Sequence, residues 1–290
     1  MGLRAKPPVL EPNRFRALIY GNTGVGKTHF VTSMPNVYYI DTEGASKYKI
    51  FVDKLKENKS EIAVIYDLQE IINEVKELIS TKHNYKTLVI DSISVPCAHL
   101  ANLEVERLTK KTPSSEGTEF GANLAKVKRL TFQLGILLSR LDMNVIVTAH
   151  EKTKYEKSLE IGKEADVNEK LAYCLGSVFN LRMQAGNRKA FVQKTRYSEF
   201  KPLELLDFDN GFEILKNRLG EDIFYRDSQI EILATKEQIN EIKRLIELLN
   251  FPEDKVQKWL SASQSTSLDE MSFKNLEKCI NHLKSQVTGE

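Results

Sequence analysis

Residues 15–30 read FRALIYGNTGVGKTHF, an apolar run followed at once by a glycine-rich segment that ends in Gly-Lys-Thr. This segment fits the phosphate-loop pattern G-x-x-x-x-G-K-[ST] without a mismatch, with a strand before it and a plausible helix after it, as the pattern requires. The glycines let backbone N–H groups turn inward around a polyphosphate, and the start of the helix adds the positive end of its dipole. We therefore predict a nucleoside triphosphate site formed by Gly21, Asn22, Thr23, Gly24, Val25, Gly26, Lys27 and Thr28.

Three side chains have predicted roles around the triphosphate. Lys27 can reach the β- and γ-phosphates, and the Thr28 hydroxyl can bind Mg²⁺. Further along the chain, the apolar strand Thr87–Asp91 ends in a carboxylate that can hold the same ion through a water molecule. ATP and Mg²⁺ are therefore the expected ligands.

The composition is ordinary for a globular protein, with 290 residues of which 41% are hydrophobic and 28% charged. The formal net charge of +2 neither favours nor excludes a nucleic acid partner. The three cysteines lie far apart without C-x-x-C spacing, which predicts reduced thiols rather than a metal site or disulfides. Because the sequence has no signal region and no apolar run of about 18 residues, we expect a cytoplasmic protein without a membrane partner.

Apolar runs alternate with amphipathic segments along most of the chain. Predicted strands cover residues 37–40, 62–66, 87–91 and 144–149, and helical periodicity lies between several of them. This alternation predicts an α/β fold with a central, mostly parallel sheet. A strand–turn–strand pattern at residues 178–193 adds antiparallel strands at one edge.

The composition changes after Gly220, because residues 235–286 have helical patterns and no strand signal. Two segments in this part, Thr235-x-x-Gln238 and Ser267-x-x-Glu270, fit a capping box. We predict four parts: an N-terminal arm at 1–13, an ATPase core at 14–220, a linker at 221–234 and a small C-terminal helical module at 235–290.

The order of these parts resembles the RecA-like, core-only phage recombinases and single-strand annealing ATPases, which are phosphate-loop ATP-binding proteins of the AAA type. The resemblance covers roughly residues 14–200. It rests on the phosphate loop, the strand followed by Asp41-Thr42-Glu43, the strand ending in Asp91, the strand leading to His150, and the hairpin ending Lys194-Thr195-Arg196. It implies a DNA-dependent ATPase that binds single-stranded DNA and promotes annealing or strand exchange, in the bacterial host cytoplasm if the protein is phage-encoded.

The resemblance also implies roles for individual side chains. Glu43 would polarise the water that attacks the γ-phosphate, while Mg²⁺ and Lys27 neutralise the developing charge. His150 would sense the γ-phosphate, at a position where the best-known members carry glutamine. The alternative for Glu43 is an exposed carboxylate at the end of a strand without a catalytic role. The alternative for His150 is a histidine that is hydrogen-bonded within the core. By its position, Tyr48 is a candidate for stacking on the adenine.

Other implied residues act beyond the subunit's own nucleotide. Lys194 and Arg196 would reach the ATP of a neighbouring subunit in a homo-oligomer, a ring or a filament, and the alternative is a solvated hairpin end. Two DNA-binding loops would lie at residues 110–121 and 152–166, where lysines bind phosphates and aromatic rings stack on bases. The candidates are Lys110, Lys111, Phe120, Lys152, Lys154, Tyr155 and Lys157. Acidic side chains dilute the positive charge of both loops.

Two other functions stay open. A P-loop small-molecule or nucleotide kinase shares the phosphate loop but needs a lid with arginines, and residues 151–167 contain none. The second is a non-hydrolysing, ATP-switched protein-interaction factor. For the C-terminal module, a stabilising helical cap and a docking site for DNA or a single-strand-binding protein are both open.

Overall fold

The computed structural model describes residues 13–111, 121–156 and 158–288. The main sheet contains the strands β1 (Arg16–Gly21), β2 (Val37–Asp41), β3 (Glu61–Val64), β4 (Thr87–Asp91), β5 (Asn144–Ala149), β8 (Ser177–Gln184), β9 (Asn187–Lys194) and β10 (Leu205–Asp207). Their order across the sheet is β10-β9-β8-β1-β5-β4-β2-β3. A separate hairpin consists of β6 (Glu151–Glu156) and β7 (Leu159–Ala165).

The helices of the sheet-containing part are α1 (Lys27–Val31), α2 (Lys49–Glu57), α3 (Leu68–Ser80), α4 (Ser94–Lys111), α5 (Leu124–Arg140), α6 (Glu169–Cys174), α7 (Gly211–Leu219) and α8 (Asp222–Tyr225). The last part of the chain contains α9 (Lys236–Leu248), α10 (Glu253–Ala262) and α11 (Phe273–Thr288). Short 3-10 turns lie at Ala45–Lys47 and Leu268–Glu270.

The six strands from β8 to β3 run parallel, and β9 and β10 are antiparallel additions at one edge. Strands β4 and β5 are buried along their whole length, which explains why they read as continuous apolar runs rather than as alternating ones. The predicted α/β fold with a mostly parallel sheet and a late antiparallel hairpin is therefore confirmed.

Helices cover both faces of the sheet. Neighbouring residues of β1 point to opposite faces, as the pleat requires. Leu18 belongs to a core shared with α3, α4 and α5, and Ile19 belongs to a second core shared with α1, α2 and α7. Because the inner strands β1, β4 and β5 are buried on both faces, a ligand can reach them at their ends.

The helices α9, α10 and α11 surround a third apolar core of their own. Thr235 and Gln238 form the predicted capping box at the start of α9. The second predicted box is wrong, because Ser267 makes no capping hydrogen bond there. Glu270 is instead fully buried, and it accepts hydrogen bonds at 2.8 Å from the N–H and the hydroxyl of Thr266.

The stretch predicted as a linker packs closely on the sheet-containing part. The ring of Phe224, in α8, is buried with its centroid 5.9 Å from that of Phe15. The buried guanidinium of Arg14 donates to the carbonyl oxygens of Arg226 and Asp227 at 2.9 Å and 2.7 Å. These contacts hold residues 224–227 against the start of β1.

Candidate functional site

The candidate site lies at the carboxyl ends of the parallel strands, where open α/β sheets bind their ligands. The phosphate loop follows β1, Glu43 follows β2 and His150 follows β5, while Asp91 is the last residue of β4. Strand β5 lies between β1 and β4, so His150 emerges between the phosphate loop and Asp91. The phosphate loop, Glu43, Asp91 and His150 therefore lie together at the carboxyl ends of neighbouring strands.

The phosphate loop has the backbone that its glycines permit. Gly24 and Gly26 have φ angles of +80° and +94°, in the left-handed region that favours glycine. Lys27 Nζ donates to the carbonyl oxygens of Gly21 and Asn22 at 2.9 Å and 3.0 Å. Burial lowers the pKa of Lys27, and the nearby carboxylates of Asp91 and Glu43 oppose that shift. The lysine side chain is thus held against the loop backbone by these hydrogen bonds, near both carboxylates.

Asp91 is a buried carboxylate at the centre of a hydrogen-bond network. It accepts from the hydroxyls of Thr28 at 2.8 Å and Tyr39 at 2.6 Å, and also from the hydroxyl of Thr148. Burial raises the pKa of Asp91, and these three hydrogen bonds act in the opposite direction. The direct contact between Thr28 and Asp91 places both predicted metal-binding side chains side by side.

The donor set around Thr28 fits Mg²⁺. This ion binds oxygen and usually takes one or two carboxylates together with phosphate oxygens and water. Within the described ranges, no group of three or more His, Cys, Asp or Glu side chains could hold a metal ion. The Thr28 hydroxyl and the Asp91 carboxylate, next to the phosphate loop, fit a metal ion that binds together with the nucleotide.

Glu43 is held by two side chains. Its Oε1 lies 2.6 Å from His150 Nε2, and it also accepts a hydrogen bond from the Ser92 hydroxyl. The Thr42 hydroxyl donates to the Ser92 carbonyl oxygen at 2.7 Å, which joins the ends of β2 and β4. Glu43 and His150 stay partly exposed, at 39% and 42%, so a ligand can reach them. Ser92 was missed in the sequence because a single serine after a strand has no distinguishing pattern.

Asp41 fixes the turn that presents Glu43. One of its oxygens accepts from the backbone N–H groups of Glu43, Gly44 and Ala45 at 2.7–3.1 Å, and the other accepts from that of Ser46 at 2.8 Å. Burial favours a higher pKa for Asp41, but these hydrogen bonds outweigh it and lower the pKa overall. Asp41 therefore has a positioning role.

Tyr48 lies just beyond this turn and is 62% exposed. Its ring contacts Phe51 edge-on, with 6.3 Å between the ring centroids. Stacking of Tyr48 on adenine stays a prediction.

Lys194 and Arg196 lie away from the phosphate loop. Strand β9 runs antiparallel to β8, so its last residue, Lys194, pairs with Val178 near the start of β8. Lys194 Nζ donates to the carbonyl oxygens of Ala172 at 2.6 Å and Leu175 at 2.8 Å, at the end of α6. Arg196 donates to the carbonyl oxygen of Tyr173 at 3.0 Å. Within one subunit, both cations bind the end of this helix.

The first predicted DNA-binding loop is described only in part. Lys110 and Lys111 form the last turn of α4. Phe120 of this loop, and Lys157 of the second, lie outside the described residues.

The second predicted loop is instead the β6–β7 hairpin, whose two short polar strands pair antiparallel, from Glu151 with Ala165 to Glu156 with Leu159. Lys152 lies 3.4 Å from Asp166, and Lys154 lies 3.8 Å from Glu164. Tyr155 is 64% exposed on the same strand. The lysines and the aromatic ring are accessible, but nearby carboxylates partly neutralise the lysines.

A family model described as an AAA domain matches residues 13–197, which is more than half of the chain. The chain belongs to this AAA domain family. The matched region of the AAA domain contains the phosphate loop, Glu43, Asp91 and His150.

Similarity to solved structures includes the crystal structure of the RadB recombinase, at 17% sequence identity and a TM-score of 0.43. That likeness covers 65% of this chain and 84% of the other. No curated protein sequence matches the chain. None of the helices described here is long and apolar enough to cross a membrane.

Proposed function

We propose that this AAA domain protein binds and hydrolyses ATP and acts in DNA recombination, where it binds single-stranded DNA and promotes annealing or strand exchange. The observation that supports the ATPase activity best is the convergence of Lys27, the Thr28–Asp91 pair and Glu43 at one end of the sheet. A cation, a metal-binding pair and an accessible carboxylate are the parts that phosphoryl transfer to water requires.

The phosphate loop supplies binding and charge neutralisation. Its backbone N–H groups surround the phosphates, and Lys27 exchanges its two carbonyl acceptors for the β- and γ-phosphate oxygens. Mg²⁺, bound by Thr28 and through water by Asp91, would neutralise charge on the same oxygens. These interactions stabilise the charge that develops on the transferred group.

Glu43 is the proposed base that orients the attacking water. Its carboxylate is engaged by His150 and Ser92 in the structure. His150 can donate a hydrogen bond to a phosphate oxygen. We propose that the γ-phosphate draws His150 away from Glu43, so that the carboxylate is freed for water only when a triphosphate is present.

The DNA-related part of the proposal rests on the resemblance to RecA-type recombinases. The β6–β7 hairpin presents accessible Lys152, Lys154 and Tyr155, and the last turn of α4 adds Lys110 and Lys111. Lysines bind phosphates, and tyrosine offers a stacking surface. Phe120 and Lys157 remain proposed members of the same surface.

The assembly and the domain boundaries are also proposals. Lys194 and Arg196 would act on the nucleotide of the next subunit in a ring or filament. The boundaries at 13, 220 and 234 stay predictions, as does docking of a single-strand-binding protein on the C-terminal helices. Phage origin and a cytoplasmic location complete the proposal.

One assay tests the function. ATP hydrolysis is measured with and without single-stranded DNA, together with DNA binding at two salt concentrations, and Lys27→Ala is the control that should lose hydrolysis. Stimulated hydrolysis with steep salt dependence of binding is the expected result. Phosphate transferred to a small acceptor would identify a kinase instead. Binding of ATP without turnover under any condition would identify a nucleotide-switched interaction factor.

A further inference from the structure

A basic cluster lies beside the phosphate loop and plays no part in the proposed reaction. Arg188, near the start of β9, reaches over Gly26 so closely that a Cβ on Gly26 would lie 2.9 Å from Arg188 Cδ and 3.0 Å from Cζ. Lys54 of α2 places its Nζ 3.1 Å from Nε2 of His29, which directly follows Thr28. Three basic side chains therefore meet at the outer wall of the loop.

Among the described residues, no carboxylate forms a direct ion pair with the cluster. Arg188 Nε is buried and forms no hydrogen bond with any of them, and no carboxylate lies within 4.0 Å of the charged groups of Arg188 or Lys54 among the described residues. Burial lowers the pKa of Lys54 and the charge of Arg188 lowers it further, while the charge of Glu57 acts in the opposite direction. The like charges of Arg188 and Lys54 are therefore only partly compensated, which is unfavourable when they lie this close together.

The cluster opens into a cleft of about 340 Å³ between α1, α2 and the start of α7. The carboxylates of Glu57, Asp209 and Glu213 also line this cleft. Asp209 accepts a hydrogen bond from the backbone N–H of Arg188 at 2.9 Å, so it fixes the strand rather than the guanidinium. The cleft lies next to the phosphate loop, because His29, which lines it, directly follows Thr28.

We propose that Arg188, Lys54 and His29 form an anion-binding subsite that takes the nucleotide phosphate nearest the sugar. The order of the strands supports this assignment. Glu43, beside the γ-phosphate, follows β2 on one side of β1, whereas Arg188 lies in β9 on the other side. The end of the phosphate chain that is farthest from Glu43 is therefore the end that faces Arg188.

The subsite rests on the proposed ATP binding and adds a specificity residue to it. The guanidinium can donate two parallel hydrogen bonds to a phosphate, which an ammonium group cannot do in the same geometry. Gly26 is required for this approach, because any side chain at that position would collide with Arg188.

Isothermal titration calorimetry with the full chain tests the subsite, with ATP and inorganic tripolyphosphate as probes. The variants are Arg188→Ala, Arg188→Lys and the control Lys189→Ala. Lys189 is the next residue of the strand, and it pairs with Asp207 instead of facing the loop. We expect Arg188→Ala to raise the Kd of both probes about 10- to 100-fold, since hydrogen bonds to charged groups are strong. Arg188→Lys should recover part of the loss, and Lys189→Ala should match the wild type.

Two results overturn the subsite: unchanged Kd values for Arg188→Ala, or a loss confined to ATP, which would place Arg188 against the nucleoside. Thermal unfolding of each variant checks folding, and Arg188→Lys keeps the test valid if the alanine variant is unfolded. Wild-type protein that binds neither probe refutes both the subsite and the proposed function. Arginine-dependent binding of tripolyphosphate without ATP hydrolysis refutes only the proposed function.

Discussion

Glu43→Gln separates catalysis from binding in this site. The amide keeps the size of the carboxylate and can still accept the hydrogen bond from Ser92, but it cannot act as a base. General-base catalysis contributes about 10²- to 10⁴-fold, so the barrier should rise by about 3–5 kcal/mol. The contact with His150 involves two partly exposed groups, at 39% and 42% exposure. Exposed pairs of this kind contribute about 0–1 kcal/mol to the free energy of unfolding. Unfolding of the variant therefore cannot account for the expected fall in turnover.

The assay for Glu43→Gln is ATP turnover at saturating nucleotide, next to ATP affinity by calorimetry and thermal unfolding. We expect kcat to fall by at least about 100-fold while the Kd for ATP stays within about threefold. Lys27→Ala is the matched contrast, because it should weaken binding itself. Wild-type turnover by Glu43→Gln would refute the assignment of Glu43 as the base.

Three further variants test other parts of the structure. Asp91→Asn should remove most of the Mg²⁺ dependence of ATP affinity, measured by titration with and without the ion; an unchanged dependence would exclude Asp91 from the metal site. Asp142→Asn should cost about 2–3 kcal/mol at pH 7, because it leaves the buried Arg14 without its carboxylate. The pKa of Asp142 is lowered overall, since hydrogen bonds and charges from Arg14 outweigh burial. Its stabilisation is therefore complete above the ordinary pKa of 3.8 and is lost as the pH falls through the lower, folded-state value. Denaturant unfolding should show the difference from wild type shrinking at acid pH, and a constant difference would contradict the assignment. Glu270→Ala should lower the free energy of unfolding by about 2–4 kcal/mol, because it removes the fully buried carboxylate that accepts a hydrogen bond from Gln133. Limited proteolysis should then cleave the chain between the helical module and the sheet earlier than in the wild type.

The elements that local patterns specify were predictable from the sequence. The phosphate loop and β4 are continuous stretches of sequence, so their places in the fold could be predicted, and the loop makes the strand-end Asp91 a candidate metal ligand. The parallel sheet was predictable from the alternation of apolar strands with amphipathic helices. In these segments, the residues of the segment itself indicate its secondary structure.

Contacts between distant segments were not predictable. Ser92 meets Glu43 across two strands, and Arg188 meets Gly26 from a hairpin far along the chain. The many charged residues of the β6–β7 hairpin hide its strand pattern, so the sequence predicts a loop there. The polar segment after Gly220 resembled a linker, since nothing local reveals that Arg14 binds its carbonyl oxygens.

The position of Lys194, on a different part of the sheet from the phosphate loop, has a consequence for any assembly in which it serves a neighbour. Such a contact joins two unlike patches, and repeated contacts of this kind close into a ring or extend as a filament. In an open filament, one terminal subunit would receive no donor lysine. Its ATP would turn over more slowly, so the average rate for each subunit would rise as the filament lengthens.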